Sequence, residues 1–261
     1  MVLSGRKRLR TKEVAAAAIF TAFVFAVTFS FSATTSTGGY FDVGEIMVYI
    51  TALVMGPYVG AFAGGVGSML SDALLAPQFA PGTLVIKGAE GFIVGYLARS
   101  GFRGFPDAVQ KRLGLLLACA VGAIVIVVGL TSFPDISLSL GQLGLTPTAS
   151  TPDYPLSITF WAAVACLAFA LTFIVSSRIG PKFTWVAIAI CAGGAEMVAG
   201  YFLYETQILQ LGLVAPTAEI PVNVLQAIAG LVVAPPVAAR ISGIFSAGGR
   251  LTGGPLGKDA A

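Results

Sequence analysis

Ionisable side chains occur at only a few positions inside the long apolar segments of this 261-residue sequence. They are Glu45, Asp72, Lys87, Glu90, Glu196 and Glu205, with Asp42 just outside such a segment. Charged groups are costly inside a bilayer, so they usually mark a binding site, an ion path or a proton relay. Carboxylates accept hydrogen bonds, and the single lysine donates them. These residue types therefore predict binding of a polar ligand rather than catalysis.

The composition is that of an integral membrane protein. Of all residues, 56% are hydrophobic and 10% are charged, and the mean hydropathy is +0.90. Soluble domains carry about 25% charged residues. The sequence has no histidine, which removes the usual general base and most zinc sites, so we expect neither catalysis nor a bound metal. Cys119, Cys166 and Cys191 lie far apart in apolar runs, and we expect them to be small buried hydrophobes.

The apolar segments predict eight transmembrane helices, because a helix needs about 20 apolar residues to cross a bilayer. Their expected ranges are 14–33, 43–56, 58–76, 83–99, 113–132, 157–177, 184–204 and 220–240. The second is short, and Gly56-Pro57 separates it from the third. No linker is visible, so we expect one transmembrane domain over 1–240 and a disordered cytoplasmic tail over 241–261.

The basic residues predict the orientation of these helices. If both termini are cytoplasmic, 14 of the 15 basic residues fall on the inner side, none falls in an outer loop, and Lys87 lies within a helix. This asymmetry follows the positive-inside rule. The first segment could instead be a removed signal peptide, because RKRLRTK precedes it.

In this topology the polar residues inside the membrane converge on its outer half. The predicted substrate-binding residues are Asp42, Glu45, Asp72, Lys87, Glu90, Glu196, Tyr204, Asn223 and Gln226. A channel would distribute polar groups over the whole depth of the bilayer. The pattern therefore indicates a cup that is open to the outside and closed below. Because carboxylates outnumber the lysine, we expect a neutral or cationic ligand that forms hydrogen bonds.

Lys87 and Glu90 are one turn apart and share a helix face. Lys87 lies about 6 Å below the expected start of its helix, so its side chain could extend outward to the interface. It could also pair with Asp72 or Glu90 for purely structural reasons. Glu90 is the better candidate for a ligand contact, and both roles of Lys87 remain open.

Small residues recur every fourth position on three helices. Ala18, Ala22 and Ala26 form such a stripe on the first helix, which suits close approach of another helix, either from this chain or from a partner protein. Gly60 and Gly64 on the third helix, and Gly91 and Gly95 on the fourth, form the same pattern, and there we expect internal packing.

The run GGYFDVGEIMVYITALVMGPYVGAFAGGVGSMLSDALL, followed by APGTLVIKGAEGFIVGYLAR, resembles the substrate-binding S components of energy-coupling factor (ECF) vitamin transporters. The similarity is to the family with the riboflavin and hydroxymethylpyrimidine S components. AEMVAGYFLYE and IPVNVLQAIAGLVVA resemble the last two helices of that family. The resemblance covers the first four and the last two predicted helices.

The resemblance implies an all-α membrane protein with a six-helix core that binds a vitamin or vitamin precursor near the outer face of the cell membrane. It also implies docking onto a membrane T component through Ala18, Ala22 and Ala26, with ATP hydrolysed by two partner ATPases. GGPLGKD near the C-terminus lacks the Ser or Thr of a Walker A motif, so we expect no ATP site, no cofactor and no nucleic-acid binding in this chain. The eight predicted helices are two more than the six of the family core. We expect residues 107–180 to form the additional helical pair, as an insertion into that core.

Two other functions remain open at the level of sequence. One is a stand-alone secondary transporter or facilitator for a small polar metabolite, which requires inverted halves and a polar path to the inside. The other is a membrane enzyme or a structural scaffold. The sequence does not identify the vitamin.

Overall fold

The computed structural model describes residues 11–34, 40–100, 106–132, 137–138, 154–155, 158–179 and 181–247. Over these residues the chain folds into eight α-helices, which confirms the predicted all-α class and number of helices. The helices are α1 (Thr11–Ser30), α2 (Gly44–Met55), α3 (Pro57–Leu75), α4 (Ala80–Ala98), α5 (Asp107–Ser132), α6 (Ile158–Ile179), α7 (Pro181–Leu203) and α8 (Val214–Ala247).

Two short antiparallel strand pairs lie between helices. Strands β1 (Ser32–Thr34) and β2 (Tyr40–Asp42) connect α1 to α2, and Ser32 pairs with Asp42. Strands β3 (Ser137–Leu138) and β4 (Tyr154–Pro155) lie between α5 and α6, and the rest of that connection is outside the described residues.

The chain divides into two compact units. The first comprises Met1–Arg103 and Trp185–Ala261, and the second comprises Gly104–Thr184. The first unit therefore contains α1 to α4, most of α7, and α8. The second contains α5, α6 and the first residues of α7. Its bounds lie close to the range 107–180 of the expected helical pair.

Five described helical segments are long and apolar enough to cross a membrane: Pro57–Leu75, Ala108–Thr131, Ile158–Arg178, Phe183–Ile208 and Val214–Gly243. Two further apolar segments, Val14–Ser30 and Gly44–Met55, are shorter. Helix α2 has 12 residues and is about 18 Å long, against a hydrocarbon thickness of about 30 Å. Helix α4 is not among the five, and it carries Lys87 and Glu90.

Helices α3 and α4 pack backbone against backbone, as the glycine stripes predict. A Cβ atom at Gly60 would lie 2.8 Å from the carbonyl oxygen of Gly91, and one at Gly64 would lie 2.9 Å from that of Lys87. Real Cβ atoms do not approach other atoms this closely, so only glycine permits this helix spacing. The close contact fixes the position of α4, which carries several residues of the candidate site.

The junction between α2 and α3 depends on Gly56. Its φ of 89° lies in the left-handed region that favours glycine. A Cβ atom there would also lie 2.8 Å from Nε of Arg99, whose Nη2 donates a hydrogen bond to the carbonyl oxygen of Val54 at 3.0 Å. Arg99 therefore fills the space beside the junction and satisfies a carbonyl at the end of α2.

Helix α1 packs against α2 and α3 through Val24 and Thr28, which are buried. A Cβ atom at Gly67 of α3 would lie 2.8 Å from the Val24 side chain. Ala18, Ala22 and Ala26 are exposed on the protein surface. Their stripe therefore takes no part in the packing of the described residues.

The second unit has its own packed interior between α5 and α6. The Trp161 indole lies over Gly129, where a Cβ atom would be 2.7 Å from the ring atom Cγ and closer still to two others. The Thr184 hydroxyl donates a hydrogen bond to the side-chain oxygen of Gln110.

Two expectations from the sequence differ from the structure. The three cysteines are exposed rather than buried, because the apolar runs that contain them also supply the outward, lipid-facing side of each helix. Helix α8 continues to Ala247, into the segment that we assigned to the tail, and residues 248–261 lie outside the described part of the chain.

We predict that Gly91→Ala destabilises the protein, because the new methyl group would clash with the backbone of Gly60. Overpacking of this kind costs on the order of 1–3 kcal/mol. Gly88→Ala on the same helix is the matched control, since a Cβ there would make an ordinary contact of 3.5 Å with the carbonyl oxygen of Ala61. Thermal unfolding in detergent should show a lower midpoint for Gly91→Ala alone, and equal midpoints for the two variants would contradict the packing argument.

Candidate functional site

A cavity of about 480 Å³, counting its part that is open to solvent, lies at one end of the helices of the first unit. Its walls come from the end of α1, strand β2, the end of α3, the start of α4, the end of α7 and the start of α8. The lining residues are Thr28, Tyr40, Asp42, Ser68, Asp72, Phe79, Thr83, Lys87, Tyr201, Glu205, Glu219, Asn223 and Gln226. The charge distribution of the loops predicts that this end faces outward.

Asp72 is the centre of a hydrogen-bond network in the cavity wall. Its Oδ1 accepts a hydrogen bond from the Tyr40 hydroxyl, and its Oδ2 accepts one from the Thr83 hydroxyl. The Thr83 oxygen also lies 2.8 Å from the Tyr201 hydroxyl. Both oxygens of Asp72 are therefore engaged by protein donors, and the carboxylate positions three other lining residues.

Asp42 connects β2 to α8. Its Oδ1 accepts a hydrogen bond of 2.6 Å from the backbone N–H of Gly44, and its Oδ2 accepts one of 2.8 Å from Nε2 of Gln226. Burial raises the pKa of Asp42 to about 6, and the nearby ammonium of Lys87 opposes this rise. A Cβ at residue 44 would lie 2.7 Å from the Asp42 carboxylate, so glycine is required there.

Lys87 is buried, with 5% of its surface exposed. Its ammonium contacts the carboxylate of Glu45 and lies 3.3 Å from Oε2 of Glu90. It also lies 5.5 Å from the centre of the Tyr201 ring, within the range of a cation–π interaction. The alternative that Lys87 extends outward to the interface is wrong. Helix α4 begins at Ala80, which places Lys87 about 10 Å along the helix, and its charge is neutralised inside the protein.

Glu45 and Glu90 are buried beside Lys87 and do not line the cavity. Glu90 also accepts a hydrogen bond of 2.6 Å from the Tyr49 hydroxyl. A Cβ at Gly194 would lie 3.2 Å from that hydroxyl, so the glycine makes room for it. The geometry thus reverses the expected roles of the pair on α4: Lys87 reaches the cavity, and Glu90 supports Lys87 from behind.

Glu196 and Tyr204 are also absent from the cavity wall. The Tyr204 hydroxyl donates a hydrogen bond of 2.9 Å to the carbonyl oxygen of Gln78, and its ring covers Gly82. A Cβ at Gly200 would lie 3.1 Å from Ile86, so this face of α7 packs against α4.

The neighbouring face of α7 lines the cavity instead, through Tyr201 and Glu205, which are one turn apart. Five predicted residues therefore line the cavity, namely Asp42, Asp72, Lys87, Asn223 and Gln226.

Sequence reasoning did not place eight other lining residues in the binding set. They are Thr28, Tyr40, Ser68, Phe79, Thr83, Tyr201, Glu205 and Glu219. Two of them could have been predicted from the sequence. Glu205 is a carboxylate within an apolar segment, and Glu219 precedes Asn223 by one helical turn. The hydroxyl and aromatic residues carried none, because such side chains are common on membrane helices.

The described lining residues include four carboxylates and one cation. The carboxylates belong to Asp42, Asp72, Glu205 and Glu219, whereas the charge of Lys87 is already compensated by Glu45 and Glu90. The wall is therefore acidic. It suits a ligand that donates hydrogen bonds and disfavours one that carries a phosphate.

Comparison with known proteins identifies the family. The family model described as "ECF-type riboflavin transporter, S component" matches residues 8–146. A protein of Pyrococcus woesei, described as "Uncharacterized protein in gap 3'region", is 34% identical over 143 residues, which are 55% of this chain and 86% of that protein. No solved structure shows a significant match.

The matched region extends beyond the residues that carry the resemblance to S components. It includes α5, which we assigned to the expected inserted pair, and it ends before α6. The cavity residues of α7 and α8 therefore lie outside it. The match covers more than half of the chain, and several helices are long and apolar enough to span a bilayer. The chain is a multi-pass plasma membrane protein that belongs to the family of ECF-type riboflavin transporter S components.

Proposed function

We propose that this chain is the high-affinity substrate-binding subunit of an ECF-type importer and that it binds riboflavin or a close relative in the cavity described above. The observation that carries the proposal is a polar and aromatic cavity, built from six segments of the first unit, in a member of this non-enzymatic transport family. The chain itself takes no cofactor in this proposal.

The chemistry of the wall supports a ligand with a flat ring and a polar substituent. Phe79, Tyr40 and Tyr201 supply aromatic surface, and such surface stacks on planar rings. Asn223 and Glu205 supply hydrogen-bond acceptors around it. Nearly all of the described lining residues carry a polar group, so hydrogen bonds would orient the ligand between the aromatic side chains.

In this proposal the energy for import comes from other subunits, namely a membrane T component and two ATPases. The exposed stripe of Ala18, Ala22 and Ala26 supports such an assembly, because small side chains let a second helix approach closely within lipid. No other described helix needs this stripe for its own packing.

The same geometry disfavours a stand-alone secondary transporter, which needs a polar path across the membrane. At the helix ends opposite the cavity, two described side chains occupy the space between segments of the first unit. Arg99 fills the space beside Gly56, and the Trp185 indole N–H donates a hydrogen bond of 2.7 Å to the carbonyl oxygen of Leu97.

We predict that the purified protein quenches the fluorescence of riboflavin on binding and binds its 5′-phosphate at least about tenfold more weakly. A difference of that size corresponds to about 1.4 kcal/mol, which is modest for a phosphate facing several carboxylates. Fluorescence titration measures both affinities. Equal affinities would refute the acidic character assigned to the site, and no flavin binding at all would refute the proposed ligand.

We predict that Ala22→Trp abolishes riboflavin uptake by cells and leaves riboflavin binding by the purified protein unchanged. The bulky side chain would block the helix face proposed to meet the T component, while the exposed position spares the fold. Phe23→Trp is the matched control, because Phe23 is exposed on α1 outside the alanine stripe. Uptake that survives Ala22→Trp would show that this stripe is not the docking face.

A further inference from the structure

Helix α7 ends in an unusual way beside the cavity. A single π-helical turn, Tyr204–Ile208, follows it, and the connection to α8 then contains Gln210 and Gly212 with positive φ. Backbone hydrogen bonds of 3.0 Å, from Leu209 to Tyr204 and from Leu211 to Glu205, close this turn. Isolated π-helical turns occur frequently at functional sites. Here the turn presents Glu205 to the cavity.

Glu205 is buried, with 3% of its surface exposed, and its Oε2 has no hydrogen-bond partner among the described residues. Such a carboxylate oxygen is costly to bury unless something binds it. Glu219 lines the cavity as well, is 5% exposed, and is close enough for its charge to interact with that of Glu205. Two neighbouring buried carboxylates repel each other, which adds to the need for a donor.

Three donor-bearing residues of the cavity are already engaged by other carboxylates of the protein. The ammonium of Lys87 is engaged by Glu45 and Glu90. The amide of Gln226 is used by Asp42, and the hydroxyl of Thr83 by Asp72. Unlike Asp42 and Asp72, whose four oxygens all accept hydrogen bonds from the protein, Glu205 keeps an acceptor for a ligand.

We propose that Glu205, together with Glu219, forms a subsite that binds the hydroxylated side chain of the ligand. The inference rests on the proposed function, because riboflavin carries a ribityl chain whose neighbouring hydroxyl groups are hydrogen-bond donors. A carboxylate accepts two hydroxyl donors at once, and bonds to an ionised acceptor are about twice as strong as neutral ones. Asn223, one turn from Glu219 on α8, places an amide along the same wall.

The test compares two ligands on two forms of the protein. Lumiflavin has the ring of riboflavin but a methyl group in place of the ribityl chain. We expect wild-type protein to prefer riboflavin over lumiflavin, and we expect Glu205→Gln to reduce this preference about tenfold while changing the affinity for lumiflavin less than about threefold. Fluorescence titration in detergent gives all four dissociation constants. Gln207→Ala, an exposed position in the same π-helical turn, is the matched control and should keep the wild-type preference.

The outcomes separate the subsite from the function on which it rests. If Glu205→Gln weakens both flavins equally or leaves the preference unchanged, the subsite is refuted while flavin binding stands. If wild-type protein binds neither flavin, both the proposed function and the ribityl subsite that rests on it are refuted. If Glu205→Gln does not fold, Glu219→Gln provides the same comparison, and an unchanged preference there refutes the subsite.

Discussion

The ammonium of Lys87, held between the carboxylates of Glu45 and Glu90, is the interaction on which the cavity depends. Its three members are almost completely buried, so the loss of Lys87 would leave two buried carboxylates without a counter-charge, which costs several kcal/mol. The interaction joins the first turn of α2 to the middle of α4. Asp42 directly precedes α2 and Thr83 lies one turn before Lys87, so the same contact fixes two sides of the cavity wall.

Close helix packing sets the rest of the geometry. The glycine contacts between α3 and α4 bring Asp72 within reach of Thr83, so that one carboxylate can organise donors from two helices and from β2. Tyr49 occupies space that Gly194 and Gly230 leave open, and its hydroxyl completes the surroundings of Glu90. Polar groups therefore concentrate at the cavity end of the first unit, whereas elsewhere in that unit the helices pack closely against one another.

The sequence predicted the features that follow from repeating patterns. The length of the apolar segments predicted the number of helices, and glycine at every fourth position predicted the packing of α3 on α4. Charges inside or beside the apolar segments predicted Asp42, Asp72 and Lys87 as candidate site residues. It could not give the rotation of α7, because periodicity shows which residues share a face but not which neighbour that face meets. Glu196 and Tyr204 lie two turns apart on the side of α7 that carries Gly200, and that side packs against Ile86 of α4. Tyr201 and Glu205 follow the same periodicity on the adjacent face.

The composition of α4 gives the order of the helices along the chain a meaning. Helix α4 carries Lys87 and Glu90 and is not among the five described segments that are long and apolar enough to span a membrane. The carboxylate of Glu45, which contacts the Lys87 ammonium, lies on α2. Because α2 precedes α4 in the chain, the carboxylate that compensates this buried lysine is synthesised before the lysine itself.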